Sequence, residues 1–176
     1  MLTLHTKLAS ADRIDGSLVL PYELREKCRL RAALEGGEEV AVFTVRGTVL
    51  RDGDLLTGED GRVVRVVAAP EATYKVTAPD AHALLRCAFH LGNRHTQAHI
   101  GNCFLRIRAD AVLKDMLHGL GATVVEEAAA FEPESGAYSA GFGGGHHHHD
   151  HGGGPLAPIP LRQKIHRPSD PKEPAS

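Results

Sequence analysis

A chain of 176 residues with a formal net charge of −2 has room for one ordinary domain or two small ones, and its near-balanced charge predicts no nucleic-acid partner. With 42% hydrophobic residues but no Trp, five Phe and three Tyr, any core must be aliphatic. No stretch approaches the ~20 apolar residues that cross a bilayer; with no apolar signal region in Met1–Ser10 and cysteines only at Cys28, Cys87 and Cys103, a soluble cytoplasmic protein without disulfides is expected.

Residues 1 to about 70 read as β-structure. Leu2–Leu4 and Leu18–Leu20 are short apolar runs, and Cys28, Leu30 and Ala32 alternate with Arg29 and Arg31. Val40–Phe43 follows a Gly36-Gly37 turn, and Asp52-Gly53 and Asp60-Gly61 punctuate the chain before the run Val63–Ala69. Short strands at close spacing with glycine turns predict a small sandwich or barrel.

Pro70–Thr73 reads as a boundary, because the pattern changes after it. Tyr74, Val76 and Ala78 alternate like a strand, then Pro79-Asp80 opens a helix whose apolar stripe is Ala81, Leu84, Leu85, Ala88 and Phe89, with Gly92-Asn93 as a left-handed cap. Thr96–Ile100 and Cys103–Arg108 read as strands joined at Gly101-Asn102. Asp110 is suited to N-cap a second helix that buries Val112, Leu113, Met116, Leu117 and Leu120, and Ala122–Glu126 makes a last strand. The order β-α-β-β-α-β is the ferredoxin-like, or split βαβ, arrangement.

From about Phe131 the composition turns to Gly, His and Pro, with too little apolar surface to offset its ordering entropy. The expected organisation is α+β: a small β-rich N-terminal domain over 1–70, a ferredoxin-like βαββαβ domain over 74–138, and a disordered His/Gly/Pro-rich tail over 139–176.

Chemistry concentrates in histidines. His146, His147, His148, His149 and His151 lie within six positions flanked by glycines, a flexible chelator whose imidazole nitrogens suit nickel, copper, zinc and iron. A purification tag is the plain alternative, but 25 further residues follow the cluster. His95 falls near the stripe of Leu84, Ala88 and Leu91, at the edge of an apolar surface. A lone histidine in such a place is more often a packed ring bonded to a carbonyl, and one imidazole makes a poor metal site. A two-fold dimer that sets His95 beside its symmetry mate would supply two ligands and leave open positions, which suits a carrier. His82, Arg86 and His90 share a solvated helix face. A zinc site from Cys87, His90, His95 and Cys103 has the right ligand types but none of the usual paired spacings. No nucleophile elbow, phosphate loop or His-Glu-x-x-His pattern is present, so no enzyme is expected.

Two elements are specific: Gly92-Asn93-Arg94-His95, and Phe131-Glu132-Pro133-Glu134-Ser135-Gly136-Ala137-Tyr138 just before the His-rich tail. With Arg46–Leu56 and Val112–Leu117 they make the chain resemble the urease accessory protein UreE family, nickel metallochaperones, over nearly its whole length. The resemblance implies an N-terminal domain for protein contacts, a metal-binding second domain and a homodimer in which the histidine matching His95 binds nickel. It further implies delivery of Ni2+ to the urease apoprotein through the accessory GTPase UreG, with Zn2+ or Cu2+ as competitors. One departure stands out: many members carry His-Asp-His where this chain has Ala109-Asp110-Ala111, so further ligands would have to come from the tail. The rival expectation is a protein-binding or folding module whose tail buffers metal and whose His95 is structural.

Overall fold

The computed structural model describes residues 1–135. The tail cluster His146–His151 lies outside them. Its strands begin with β1 (Leu2–Leu4), β2 (Thr6–Leu8) and β3 (Gly16–Leu20), followed by the single-turn helix α1 (Tyr22–Arg25). Then come β4 (Arg29–Ala33), β5 (Glu39–Phe43), β6 (Leu55–Thr57) and β7 (Val63–Ala68). One sheet has the order β1-β5-β4 and a second the order β2-β6-β7-β3, with β1 parallel to β5 and β3 parallel to β7.

Alternation explains why these runs become strands. Leu18 and Leu20 are buried on either side of Val19, and Val64 and Val66 on either side of Arg65. Both sheets therefore turn aliphatic side chains into one core, among them Leu4, Leu18, Val42, Leu56 and Val66. Each such side chain stabilises the fold by about 1.5–3 kcal/mol. The turns at Gly53 and Gly61 adopt φ of +82° and +73°, as the Asp-Gly pairs predict.

A single residue, Ala69, separates β7 from β8 (Pro70–Thr77). Pro70–Thr73, where the sequence pattern changes, forms the first half of this long strand, which pairs with β11 (Thr123–Ala130) from Pro70↔Ala130 to Thr77↔Thr123. Between them lie α2 (Ala81–Asn93), β9 (His99–Gly101), β10 (Phe104–Arg108) and α3 (Ala111–Gly119). The four strands form an antiparallel sheet in the order β11-β8-β10-β9. Asp80 and Asp110 cap the two helices as expected, accepting from the N–H groups of Ala83 at 2.8 Å and Leu113 at 2.9 Å.

Two expectations about the helices need correction. On α2 the core face is Leu84, Cys87, Ala88 and Leu91, while Leu85 and Phe89 remain 69% and 66% exposed. On α3 Leu117 is buried and Val112 is 76% exposed. The sheet covers one arc of each helix, and the apolar stripe read from the sequence is wider than that arc. The hairpin turn also sits one residue later than expected, at Asn102-Cys103, with Cys103 at φ +61°. Gly101 pairs with Phe104 across that turn, and a Cβ there would lie 2.1 Å from the Phe104 ring and push it aside.

Phe131–Ser135, where the composition begins to turn to Gly, His and Pro, follows β11 without regular secondary structure. Phe131 is fully buried and meets the Tyr22 ring edge-on at a centroid distance of 5.5 Å. No helix among the described residues is long and apolar enough to cross a membrane.

Candidate metal centre

His95 stands just past the end of α2. The helix closes with the N–H of Thr96 donating to the carbonyl of Leu91 at 3.1 Å and the N–H of His95 to that of Gly92 at 2.9 Å, the paired bonds of a Schellman cap. In that motif the left-handed residue is usually glycine. Here it is His95, at φ +54°, whereas Gly92 and Asn93 lie within the helix. The expected cap is therefore present but shifted, and it places an imidazole in a conformation that costs a non-glycine residue about 1–2 kcal/mol.

The ring of His95 is exposed, and among the described residues only its backbone joins the hydrogen-bond network. It borders two shallow depressions. One is lined by Ala88, Gly92, Ile100 and Glu134, the other by Gln97, Arg108, Asp110 and Leu113. Large apolar side chains lie exposed on the same elements: Leu85 and Phe89 on α2, Ile100 on β9 and Val112 on α3.

The other histidines fall elsewhere. His90 is half-buried with its ring against Phe89, His82 is exposed, and His99 serves the fold. Nδ1 of His99 accepts the Glu132 N–H at 3.4 Å and lies 3.3 Å from Arg106, which assigns the proton to Nε2. Burial, with the Arg106 charge, pulls the His99 pKa below the ordinary histidine value, against the opposing pull of Glu132. The zinc arrangement of Cys87, His90, His95 and Cys103 does not form. Cys87 is in the core, where burial raises its thiol pKa, Cys103 is exposed at the hairpin turn, and among the described residues no three His, Cys, Asp or Glu side chains converge. Within one copy, then, His95 offers one exposed imidazole, with no second and third protein donor converging on it among the described residues.

The residues that fix this neighbourhood were missed from the sequence. Arg25 is fully buried and donates to the carbonyls of Leu20 and Leu50, each at 3.2 Å, to the Phe131 carbonyl at 2.6 Å, and to the Glu132 carboxylate. Arg51 donates to Glu132 at 3.2 Å, to the Pro133 carbonyl at 2.9 Å and to the Ser135 hydroxyl at 2.6 Å. The signal was a large aromatic at Phe131 standing at the edge of a glycine-rich stretch, where nothing but docking explains it.

A β-rich half joined to an α+β half, with one exposed histidine at a left-handed backbone position, makes this a two-domain protein with a candidate ligand residue in its second half. A family model described as UreE urease accessory protein, N-terminal domain, matches residues 2–69, and its C-terminal counterpart matches residues 71–156. A urease accessory protein UreE of Janthinobacterium sp. (strain Marseille) is 73% identical over 98% of this chain and 100% of its own length. Its namesake from Nitrosospira multiformis is 65% identical over 97% of this chain and 98% of its own length, and that of Cupriavidus necator 57% identical over 70% and 65%. The chain belongs to the UreE urease accessory protein family, and as an accessory protein it is not an enzyme.

Proposed function

We propose that this protein carries nickel for urease maturation in the cytoplasm, as a homodimer that delivers Ni2+ to the urease apoprotein with the GTPase UreG as partner. The observation that carries this reading is His95 itself: an exposed imidazole with no hydrogen bond to its ring among the described residues, held at a left-handed position and lining a depression with the exposed Ile100. Strain retained at one residue points to a use for that residue. The same features count against a structural His95, since its side chain is exposed and makes no hydrogen bond among the described residues.

The α+β half, with its two helices and the strand order β11-β8-β10-β9, is read as the ferredoxin-like metal-binding domain. Two copies meeting on Leu85, Phe89, Ile100 and Val112 would bring two His95 rings together, because an isologous interface sets each patch against itself. His146, His147, His148, His149 and His151 collect the ion by fast, weak binding, and His95 with its symmetry mate presents it. A tether of this length keeps tail imidazoles at an effective concentration on the order of mM. Zn2+ and Cu2+ compete for such nitrogens.

The test is nickel calorimetry on wild type, His95→Ala, the chain ending after Tyr138, and the combination. Truncation is expected to remove most equivalents, and His95→Ala one tight site per dimer. If His95→Ala leaves every isotherm unchanged, the fold holds no metal and the protein-binding reading replaces this one.

A further inference from the structure

We propose that Glu134 is an oxygen donor to the ion held at His95 and that Arg51 positions it there, an inference resting on His95 as a metal-holding residue. The segment 131–135 has no regular secondary structure, yet it is gripped at every residue. Phe131 is buried against Tyr22, and the Glu132 carboxylate is taken up by Arg25, Arg51 and the N–H of Asp52. One guanidinium, that of Arg51, holds both the Pro133 carbonyl and the Ser135 hydroxyl, the neighbours of Glu134 on either side. Glu134 donates its own N–H to the Ala98 carbonyl at 2.9 Å. Pro133, buried and fixed in φ, removes the remaining freedom.

So held, Glu134 lines the same depression as His95, Ala88, Gly92 and Ile100. The two glutamates of the segment differ in what they have left to offer. Glu132 is saturated by its partners, whereas the exposed Glu134 carboxylate pairs with no cation among the described residues. Asp110, the carboxylate beside the other depression, already spends one oxygen as the cap of α3. An anionic oxygen next to a neutral imidazole offsets part of a divalent charge and adds a donor to a site that one histidine cannot complete.

The experiment is nickel calorimetry on the full-length chain, with the five tail histidines intact and, in parallel, changed to alanine. Glu134→Gln is expected to weaken the His95-dependent class by about ten-fold or more, since even outer partners of a metal site are worth 10–100-fold. The metal-free melting temperature of the same variant should not move, since the Glu134 carboxylate pairs with no cation among the described residues. Arg51→Ala should weaken the same class, and Arg51→Ala with Glu134→Gln should cost no more than Glu134→Gln alone. If the two losses simply add, Arg51 does not act through Glu134. If Glu134→Gln binds as wild type while His95→Ala loses the class, Glu134 is not a ligand and the His95 reading stands. If His95→Ala also changes nothing, that reading fails and the Glu134 assignment with it.

Discussion

The guanidinium of Arg25 donates to the main-chain carbonyl of Phe131 at 2.6 Å, across 106 positions of sequence and with no solvent access. A buried cation is tolerated only when its donors are met, and here three carbonyls and the Glu132 carboxylate meet them. Arg25→Ala is expected to lower unfolding stability by about 3–5 kcal/mol, because it strands those acceptors. Arg25→Lys should recover little, since a point charge cannot serve acceptors spread around a planar fork. Urea denaturation of both variants checks this; a loss of less than about 1 kcal/mol for alanine would mean that water replaces the side chain.

His95→Gly should be more stable than His95→Ala, although both lose the nitrogen donor. Glycine adopts φ +54° without penalty and relieves about 1–2 kcal/mol of strain, of which about 0.4–1 kcal/mol is returned through the freer unfolded chain. Alanine keeps the strain. Thermal unfolding of the two variants decides it, and a glycine variant that melts below the alanine one would show that the cap is not strained.

His99 makes stability depend on pH. Its folded pKa lies below the ordinary 6.5, through burial first and the Arg106 charge second, so below 6.5 the unfolded chain binds the proton more readily. The stabilising contribution of the neutral ring is complete above 6.5 and is lost as pH falls through the lower folded value. His99→Gln, which can still accept the Glu132 N–H, should flatten this part of the profile in a urea series at stepped pH. Parallel profiles for the two proteins would assign the acid sensitivity to other groups.

Under the proposed two-fold interface, Phe89→Glu with Leu85→Glu should leave only monomer in sedimentation velocity where the wild type is a dimer, because charge would then face charge across the axis. Both side chains are already more than half exposed in one copy, so the urea midpoint of the monomer should hardly move. The His95-dependent nickel class should weaken with the dimer. A variant that still sediments as a dimer would place the interface on another surface.

Much of this fold is legible in the residues. Alternation at Leu18–Leu20 and Val63–Ala68 identifies strands with one buried face, and Asp80 and Asp110 announce helix starts that the backbone uses. Periodicity finds a helix but cannot say how much of its apolar face a sheet will cover, so Leu85, Phe89 and Val112 read as core and are exposed. His95 is legible as a residue at the edge of an apolar surface, but its left-handed backbone is not, because glycine two positions before the cap is the stronger signal for that conformation. Arg25, Arg51 and Glu132 escape for a different reason. Apart from the Arg25 bond to Leu20, their side-chain bonds join residues 25 to 107 positions apart, and no local pattern carries a partner so distant.

The one-residue connection at Ala69 has a practical consequence for any attempt to study the halves apart. Ala69 donates its N–H to Leu20, and β7 passes into β8 without a loop that could be severed harmlessly. A chain divided there would leave Arg25 shorn of its acid in an apolar surround, while the other fragment would carry a bare Phe131 ring where Tyr22 had covered it. Each piece would acquire a sticky, charge-frustrated wound, and aggregation of the isolated fragments would report on the cut rather than on the domains.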